Sequence, residues 1–362
     1  METTLLEYGE SLMSSVIRTF WNPEGKFARE ELADPPESET AFLWPFCCFI
    51  EMLSEYYKID PSIKSLYITA LDTIEKYRQT RDDDLTAYAA LYGGYEDPYY
   101  DDNGWVVKVF LTAYKLLGEQ KWLDKASDTV RYGYSGWDEK TGGGIYWRES
   151  DKLFKCLCSN APLALLSIEL YEKTSDKQYM EWTQKLYSWS KKNFWETDGI
   201  YIDGIFTDGK IDNTKYPYNT AFMMRLELEL YKLTKEHTYL DSVEKSADSS
   251  YLYFLSPDEE GKLKLTDRPW FYMCLLEAYM ELYKVSSHKV LLKSYIDWVV
   301  SEVIRAYQTC RNKDGFVSPD WWTEGGPAPE NIQIRDQSAI ARTMFLLAKF
   351  YNTNTKQRSV RK

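Results

Sequence analysis

Two neighbouring aspartates, Asp101 and Asp102 in "YYDDNGWVVKVF" (99–110), are the residues with the most chemistry to offer. One carboxylate suffices to cap a helix start and complement its dipole, and a second beside it adds repulsion that capping does not need. Held together in a recess, two carboxyls titrate as a unit, and their repulsion keeps one protonated while the other is ionised. Glycosidic cleavage uses that combination: carboxyls about 5–5.5 Å apart serve as nucleophile and acid/base, and wider pairs act through an intervening water. Which aspartate takes which role is open on these grounds.

Other chemistries lack residues. The only histidines, His237 and His288, fall in the polar turns "TKEHTYL" and "VSSHKVL", so histidine is not the acid or base. The six cysteines (Cys47, Cys48, Cys156, Cys158, Cys274, Cys310) show no zinc-ligand spacing and read as buried free thiols. Asp82-Asp83-Asp84 reads as a solvated capping cluster. No metal and no cofactor are expected.

The elements that position the pair come from a repeat. "LTAYKLLGEQKWLDKA", "IELYEKTSDKQYMEW", "LELYKLTKEHTYLDS" and "MELYKVSSHKVLLKS" repeat one phrase: a helix ending at a tyrosine, a short polar turn, a second helix. With Tyr57 and Tyr351 the phrase tyrosines are Tyr57, Tyr114, Tyr171, Tyr231, Tyr283 and Tyr351, spaced 57, 57, 60, 52 and 68 residues apart. Helices ending at the tyrosine, such as "APLALLSIELY", are apolar all round and so buried all round, whereas those after the turn, such as "QYMEWTQKLYSWSKKN", are one-faced. Six buried and six surface helices, with an unpaired surface helix at 1–20 and an unpaired buried one at the end, predict an all-α (α/α)₆ barrel over residues 1–352, followed by a basic disordered tail at 353–362. An open superhelical array is the alternative architecture.

Turns from buried to surface helix are short, and the return loops (roughly 21–39, 80–100, 134–158, 194–217, 252–268 and 309–335) are long. In a closed ring these loops share one end, where the six inner helices begin, so the site is expected at the N-terminal face of the inner helices. The helix starts carry Trp44, Asp101-Asp102-Asn103, Ser159-Asn160, Tyr218-Asn219, Arg268-Pro269-Trp270 and Arg335-Asp336-Gln337. Hydrogen-bonding groups walled by the indoles of Trp44 and Trp270 suit a polyhydroxylated ligand. Trp321-Trp322, in the last long loop, is read as part of the rim.

A net charge of −12, with 56 acids against 44 bases, argues against nucleic acid. No apolar run reaches a membrane span, and the start "METTLLEYGESLMSSVIRTFW" has no signal-peptide core. The chain as given is therefore expected in the cytoplasm, or outside the cell if a leader was trimmed. The sequence sets no oligomeric state.

"YYDDNGW", "GGGIYW", "SNAPLALL", "DGIYIDGI" and "KYPYNTAFM" occur in this order, and the stretch from about 85 to 235 resembles glycoside hydrolase family 76, the endo-acting α-1,6-mannanases. The resemblance implies an (α/α)₆ barrel that hydrolyses α-1,6-linked mannosides of an oligo- or polysaccharide with retention of configuration. It further implies Asp101 as nucleophile and Asp102 as general acid/base, with Tyr146, Asn160, Asp203, Tyr218 and Asn219 lining the sugar subsites; Tyr100 and Asn103, which flank the pair, are read as substrate-binding beside them. Two positions depart from the family pattern: Gly104, where alanine is frequent, and Thr220, where glutamine is more usual. The competing readings are an unsaturated uronyl hydrolase, with Arg225, Arg268 and Arg335 as cations for a sugar carboxylate, and a catalytically silent mannooligosaccharide-binding protein.

Overall fold

A computed structural model describes residues 2–95, 97–257, 259–261, 267–321 and 324–360, the side chains of 2 and 353–360 excepted. Along the chain lie α1 (Glu2–Phe20), the hairpin β1 (Trp21–Asn22) and β2 (Phe27–Ala28), α2 (Leu43–Tyr57), α3 (Lys64–Thr73), α4 (Tyr100–Leu117) and α5 (Gln120–Ser135). Next come β3 (Phe154–Cys156), α6 (Leu157–Thr174), α7 (Lys177–Phe194), β4 (Gly204–Phe206), β5 (Ile211–Asp212), α8 (Pro217–Thr234) and α9 (His237–Ser250). The last three are α10 (Pro269–Val285), α11 (Lys289–Thr309) and α12 (Ile334–Val360). Among the described residues these α-helices number twelve, as expected, and none is long and apolar enough to cross a membrane. The expected tail, 353–362, falls where side chains are not described, and its last two residues lie outside the described residues.

The chain divides into two compact units. One comprises Met1–Thr73, Leu255–Met273 and Lys293–Lys362; the other comprises Ile74–Phe254 and Cys274–Leu292. In the first, α12 packs on both α1 and α2, and α2 on α3. In the second, α6 lies between α4 and α8, and α4, α6 and α8 carry α5, α7 and α9 respectively. Burial follows the amphipathic pattern. Leu157 to Ser167 of α6 is buried without a break, whereas α7 buries only Thr183, Leu186, Trp189, Ser190 and Phe194.

The repeat phrase has a structural counterpart. After α4, α6 and α8 one residue turns left-handed (Gly118, Ser175 and Lys235, φ 71°, 60° and 64°), and its N–H closes on the carbonyl of the phrase tyrosine, Tyr114, Tyr171 or Tyr231. The next residue, Glu119, Asp176 or Glu236, is extended and stands at the N-cap position of the following helix, where the Asp176 carboxylate accepts the Gln178 N–H. Two residues thus reverse the chain.

The long return loops share a second device. Four of them form one antiparallel bridge back to the end of the preceding surface helix: Arg78 to Tyr88, Trp137 to Ile145, Trp195 to Tyr201, and Arg311 to Val317. The inward residue is then pinned by a side chain of the next helix. The amide of Asn103 pairs with both the N–H and C=O of Tyr88 at 2.8 and 2.9 Å. Asn160 does the same to Ile145 at 2.9 and 3.0 Å, and Gln337 to Val317 at 3.0 and 2.8 Å. In the fourth loop the Thr220 hydroxyl accepts the N–H of Tyr201 at 3.3 Å. A primary amide matches the donor–acceptor pair of a peptide unit, so it satisfies backbone that burial would otherwise leave unpaired.

Candidate active site

Asp101 and Asp102 occupy the first turn of α4, whose cap is neither of them but Tyr99, extended and with no side-chain capping bond. The N–H of Tyr100 donates to the carbonyl of Trp147 at 2.9 Å, which fixes the 145–148 segment across the helix start. From there the Trp147 indole N–H donates to Asp101 Oδ2 at 3.1 Å, and the Cys158 thiol donates to the same oxygen at 3.5 Å. Asp101 Oδ1 is buried with no hydrogen-bond partner among the described residues. Burial pushes the Asp101 carboxyl up to about 6, against the opposing pull of the Cys158 and Trp147 donors. Burial, reinforced by the charge of Asp101, drives Asp102 well above the ordinary aspartate range. The two neighbours are thus set apart by their surroundings: Asp101 has donors that favour its anion, and Asp102 favours its neutral acid.

A three-stranded sheet brings further groups to this point. In it β3 pairs with β4 (Cys156 opposite Gly204), and β4 with β5. The Leu157 N–H donates to the Asp203 carbonyl at 2.8 Å, so the start of α6 and the residue before β4 are locked together. Asp203 is buried, accepts from Asn219 Nδ2 at 2.8 Å, and is pushed up to about 6 by burial. Tyr218, whose ring stacks on Tyr216, is held protonated by burial and by the neighbouring thiol and carboxyl groups.

Four more of the expected residues stand behind these. Tyr100 is buried with its ring stacked on Tyr132 at 4.9 Å. Asn103 and Asn160 are fully committed to backbone, since besides their pairs with Tyr88 and Ile145 they donate to the carbonyls of Tyr99 (2.8 Å) and Cys156 (2.7 Å). Tyr146 is buried and donates its hydroxyl to Asp138. These side chains aim the loops, and their polar atoms are already engaged.

The other unit holds the remaining group. Trp44 packs edge-on to Trp270 at 5.2 Å and stacks on Phe271, and the Arg335 guanidinium lies 4.7 Å over the Trp44 ring. Asp336 is fully buried and accepts from Arg335 (3.3 Å) and Arg268 (3.1 Å). Nearby, burial raises Glu30 to about 7 while its carboxyl receives the Phe42 N–H at the start of α2. Trp321 is buried, and Trp322 lies outside the described residues.

Three residues escaped the sequence reading. Trp147 lies in "GGGIYW", where an indole close after three glycines is a signal the sequence offers. Cys158 was grouped with inert thiols. Lys155 gave no signal at all: it is 0 % exposed and donates to the Asp138 carboxylate and to the carbonyls of Asp138, Lys140 and Gly143. It thereby fixes the glycine loop, where Gly144 (φ +91°) lies so close to Trp189 that a Cβ would sit 2.4 Å from the ring. All six cysteines are free and buried, both histidines are exposed, and no metal-holding cluster occurs among the described residues.

The family described as "Glycosyl hydrolase family 76" matches residues 8–356. The GH76 α-mannanase BT2949 of Bacteroides thetaiotaomicron is 21% identical, with a TM-score of 0.86 over 97% of each chain. An inactive variant of the α-1,6-mannanase GH76A of Salegentibacter sp. HEL1_6, altered to asparagine at two adjacent aspartates and bound to α-1,6-mannotriose, is 21% identical, with a TM-score of 0.78 over 96% of this chain and 99% of that one. The mannan endo-1,6-alpha-mannosidase DCW1 of Saccharomyces cerevisiae is 24% identical over 147 residues, which are 38% of this chain and about a third (33%) of that protein. The fold is the (α/α)₆ barrel of these structures.

Proposed function

The chain belongs to glycosyl hydrolase family 76 and is a glycoside hydrolase, and from that premise we propose that it is an endo-acting α-1,6-mannanase working with retention of configuration. The observation that carries this reading is the unequal setting of two adjacent carboxyls: donors on Asp101, and on Asp102 burial beside its neighbour's charge. In the first step the Asp101 carboxylate attacks the anomeric carbon while Asp102 gives its proton to the departing glycosidic oxygen. In the second, Asp102 takes a proton from water, which attacks the mannosyl–Asp101 ester and releases the sugar with its original configuration. Asp203, held by Asn219, supplies an acceptor for sugar hydroxyls, and Tyr218 and the half-exposed Trp147 supply faces for the ring. The inactive relative altered at adjacent aspartates and the name of the yeast relative support the same substrate class.

The uronyl hydrolase reading needs an unengaged cation, and its candidates are taken. Arg225 is paired with Glu277 and Glu281, and Arg268 and Arg335 share Asp336.

Linear α-1,6-mannooligosaccharides of graded length test the proposal. The expected result is internal cleavage, with an α-anomer appearing first by NMR. A β-anomer first, or activity on unsaturated uronides with none on mannan, overturns it, and tight binding without product establishes the silent binder instead. The pH profile of kcat/KM is expected to be bell-shaped. As pH falls through about 6 the nucleophile Asp101 becomes protonated and rate is lost, and as pH rises further Asp102 loses the proton it must donate. An acid limb near pH 4 would contradict the burial of Asp101.

A further inference from the structure

The thiol pair at the β3–α6 junction enters the site above only through the contact of Cys158 with Asp101. Cys156 ends β3 and Cys158 lies in the first turn of α6, with their sulfurs 3.1 Å apart. Cys156 Sγ is also 3.3 Å from the Ser159 hydroxyl. From the other side, Cys158 Sγ is 3.5 Å from Asp101 Oδ2. Each thiol hydrogen has an acceptor if the two point the same way, Cys156 to Cys158 and Cys158 to Asp101.

Resting on the function proposed above, we infer that Cys158 is a positioning residue for the nucleophile: its S–H, backed by Cys156, orients the Asp101 carboxylate and favours its ionised form. An S–H is a weak donor, so it holds the anion without tying it down as a cationic partner does. A lysine or arginine there would pair with the carboxylate and drain its nucleophilicity. The indole N–H of Trp147, on the same oxygen, is the stronger half of the cradle.

A redox role fits the site less well. The hydrogen bond with Cys156, then burial, then the charges of Cys156, Asp101 and Asp203 all hold the Cys158 thiol protonated, whereas a sensor thiol is exposed and readily ionised. A thiol that does not ionise remains a donor throughout the working pH range. The titratable groups facing Asp101 are Asp102 on its own helix, Cys156 and Cys158 at the start of α6, Asp203 before β4, and Tyr218 on α8. Cys158 and Tyr218 stay neutral across the acid limb, so the titration read at the Asp101 carboxyl itself, beside the limb, reports on the donor.

The test compares wild type, Cys158→Ala, Cys158→Ser and Cys156→Ser for kcat/KM on α-1,6-mannan between pH 4.5 and 8. Cys158→Ala is expected to move the acid limb upward by about half a pH unit, costing roughly threefold in rate at pH 5 beyond any loss at pH 7.5. Cys158→Ser, which keeps a donor, is expected to leave the limb in place or lower it, and Cys156→Ser to leave it within about 0.2 unit. Titration of the Asp101 carboxyl by NMR, in protein labelled with ¹³C-aspartate and assigned through Asp101→Asn, reads the same shift without substrate. An enzyme that cleaves no mannan therefore refutes the function while leaving this inference measurable. An unmoved Asp101 titration in Cys158→Ala overturns the inference. If that variant does not fold, a limb raised in Cys158→Ser overturns it equally.

Discussion

Asp101→Asn and Asp102→Asn are each expected to cut turnover on α-1,6-mannan by about 10³-fold or more, while far-UV circular dichroism stays that of the wild type. The two losses differ in kind. With a nitrophenyl mannoside, whose leaving group departs without a proton, Asp102→Asn still forms the glycosyl ester and gives a burst of aglycone. Asp101→Asn gives none, because the attacking oxygen is gone. Stability supplies a second readout. Both aspartates have folded pKa values above those of the unfolded chain, so the folded state holds their protons more tightly. The wild type therefore loses stability as pH rises from about 4 through the folded values, and an uncharged asparagine removes that loss. Asp102→Asn is expected to melt higher than wild type at pH 8 by about 3 °C, with the gap closing toward pH 4. Turnover within tenfold of wild type in either variant would end the assignment.

Lys155→Met is the second large effect, and it is structural. Removing the ammonium leaves the carbonyls of Asp138, Lys140 and Gly143 without their donor, the bond to Gly143 being fully buried. Breaking a buried pair costs about 3–5 kcal/mol, and because the Asp138 carboxylate is partly exposed (38%) and can rehydrate, the lower end, roughly 3 kcal/mol, is expected here. Methionine fills much of the lysine volume, so the loss is polar rather than a cavity effect. The denaturant midpoint should fall accordingly. kcat/KM should drop as well, since the loop released by the change leads directly to Trp147 and so to Asp101. Arginine is not expected to rescue, because its planar fork cannot address acceptors grouped around one point. A midpoint shift worth less than about 0.5 kcal/mol would show that the loop is held by other means.

How much of the site was legible varies by residue, for a physical reason. The carboxylate pair could be read because adjacency in sequence is adjacency in space within one helical turn. Asn103 and Asn160 were read as polar groups at helix starts, which they are, yet their amides face the loop behind them rather than a ligand. That direction depends on the return loop closing its bridge at Tyr88 or Ile145, 15 residues upstream of each asparagine. The left-handed turn residues were equally hidden: Gly118 announces such a turn, whereas Ser175 and Lys235 occupy it only because the packed hairpin imposes it.

The sequence alone determined the alternation of all-round apolar and one-faced helices, their number, the short turns at the phrase tyrosines and the presence of two carboxylates at one helix start. These follow from solvent: an apolar side chain must leave water wherever it lies, so periodicity writes burial directly into the chain. Only the tertiary structure decided which of the two aspartates is cradled and which is left to burial. Trp147 and Cys158 reach Asp101 from 46 and 57 residues away, and Asp203 is brought beside them by the pairing of β3 with β4. A hydrogen bond specifies its partner by distance and direction, and neither exists until the helices and the small sheet have packed.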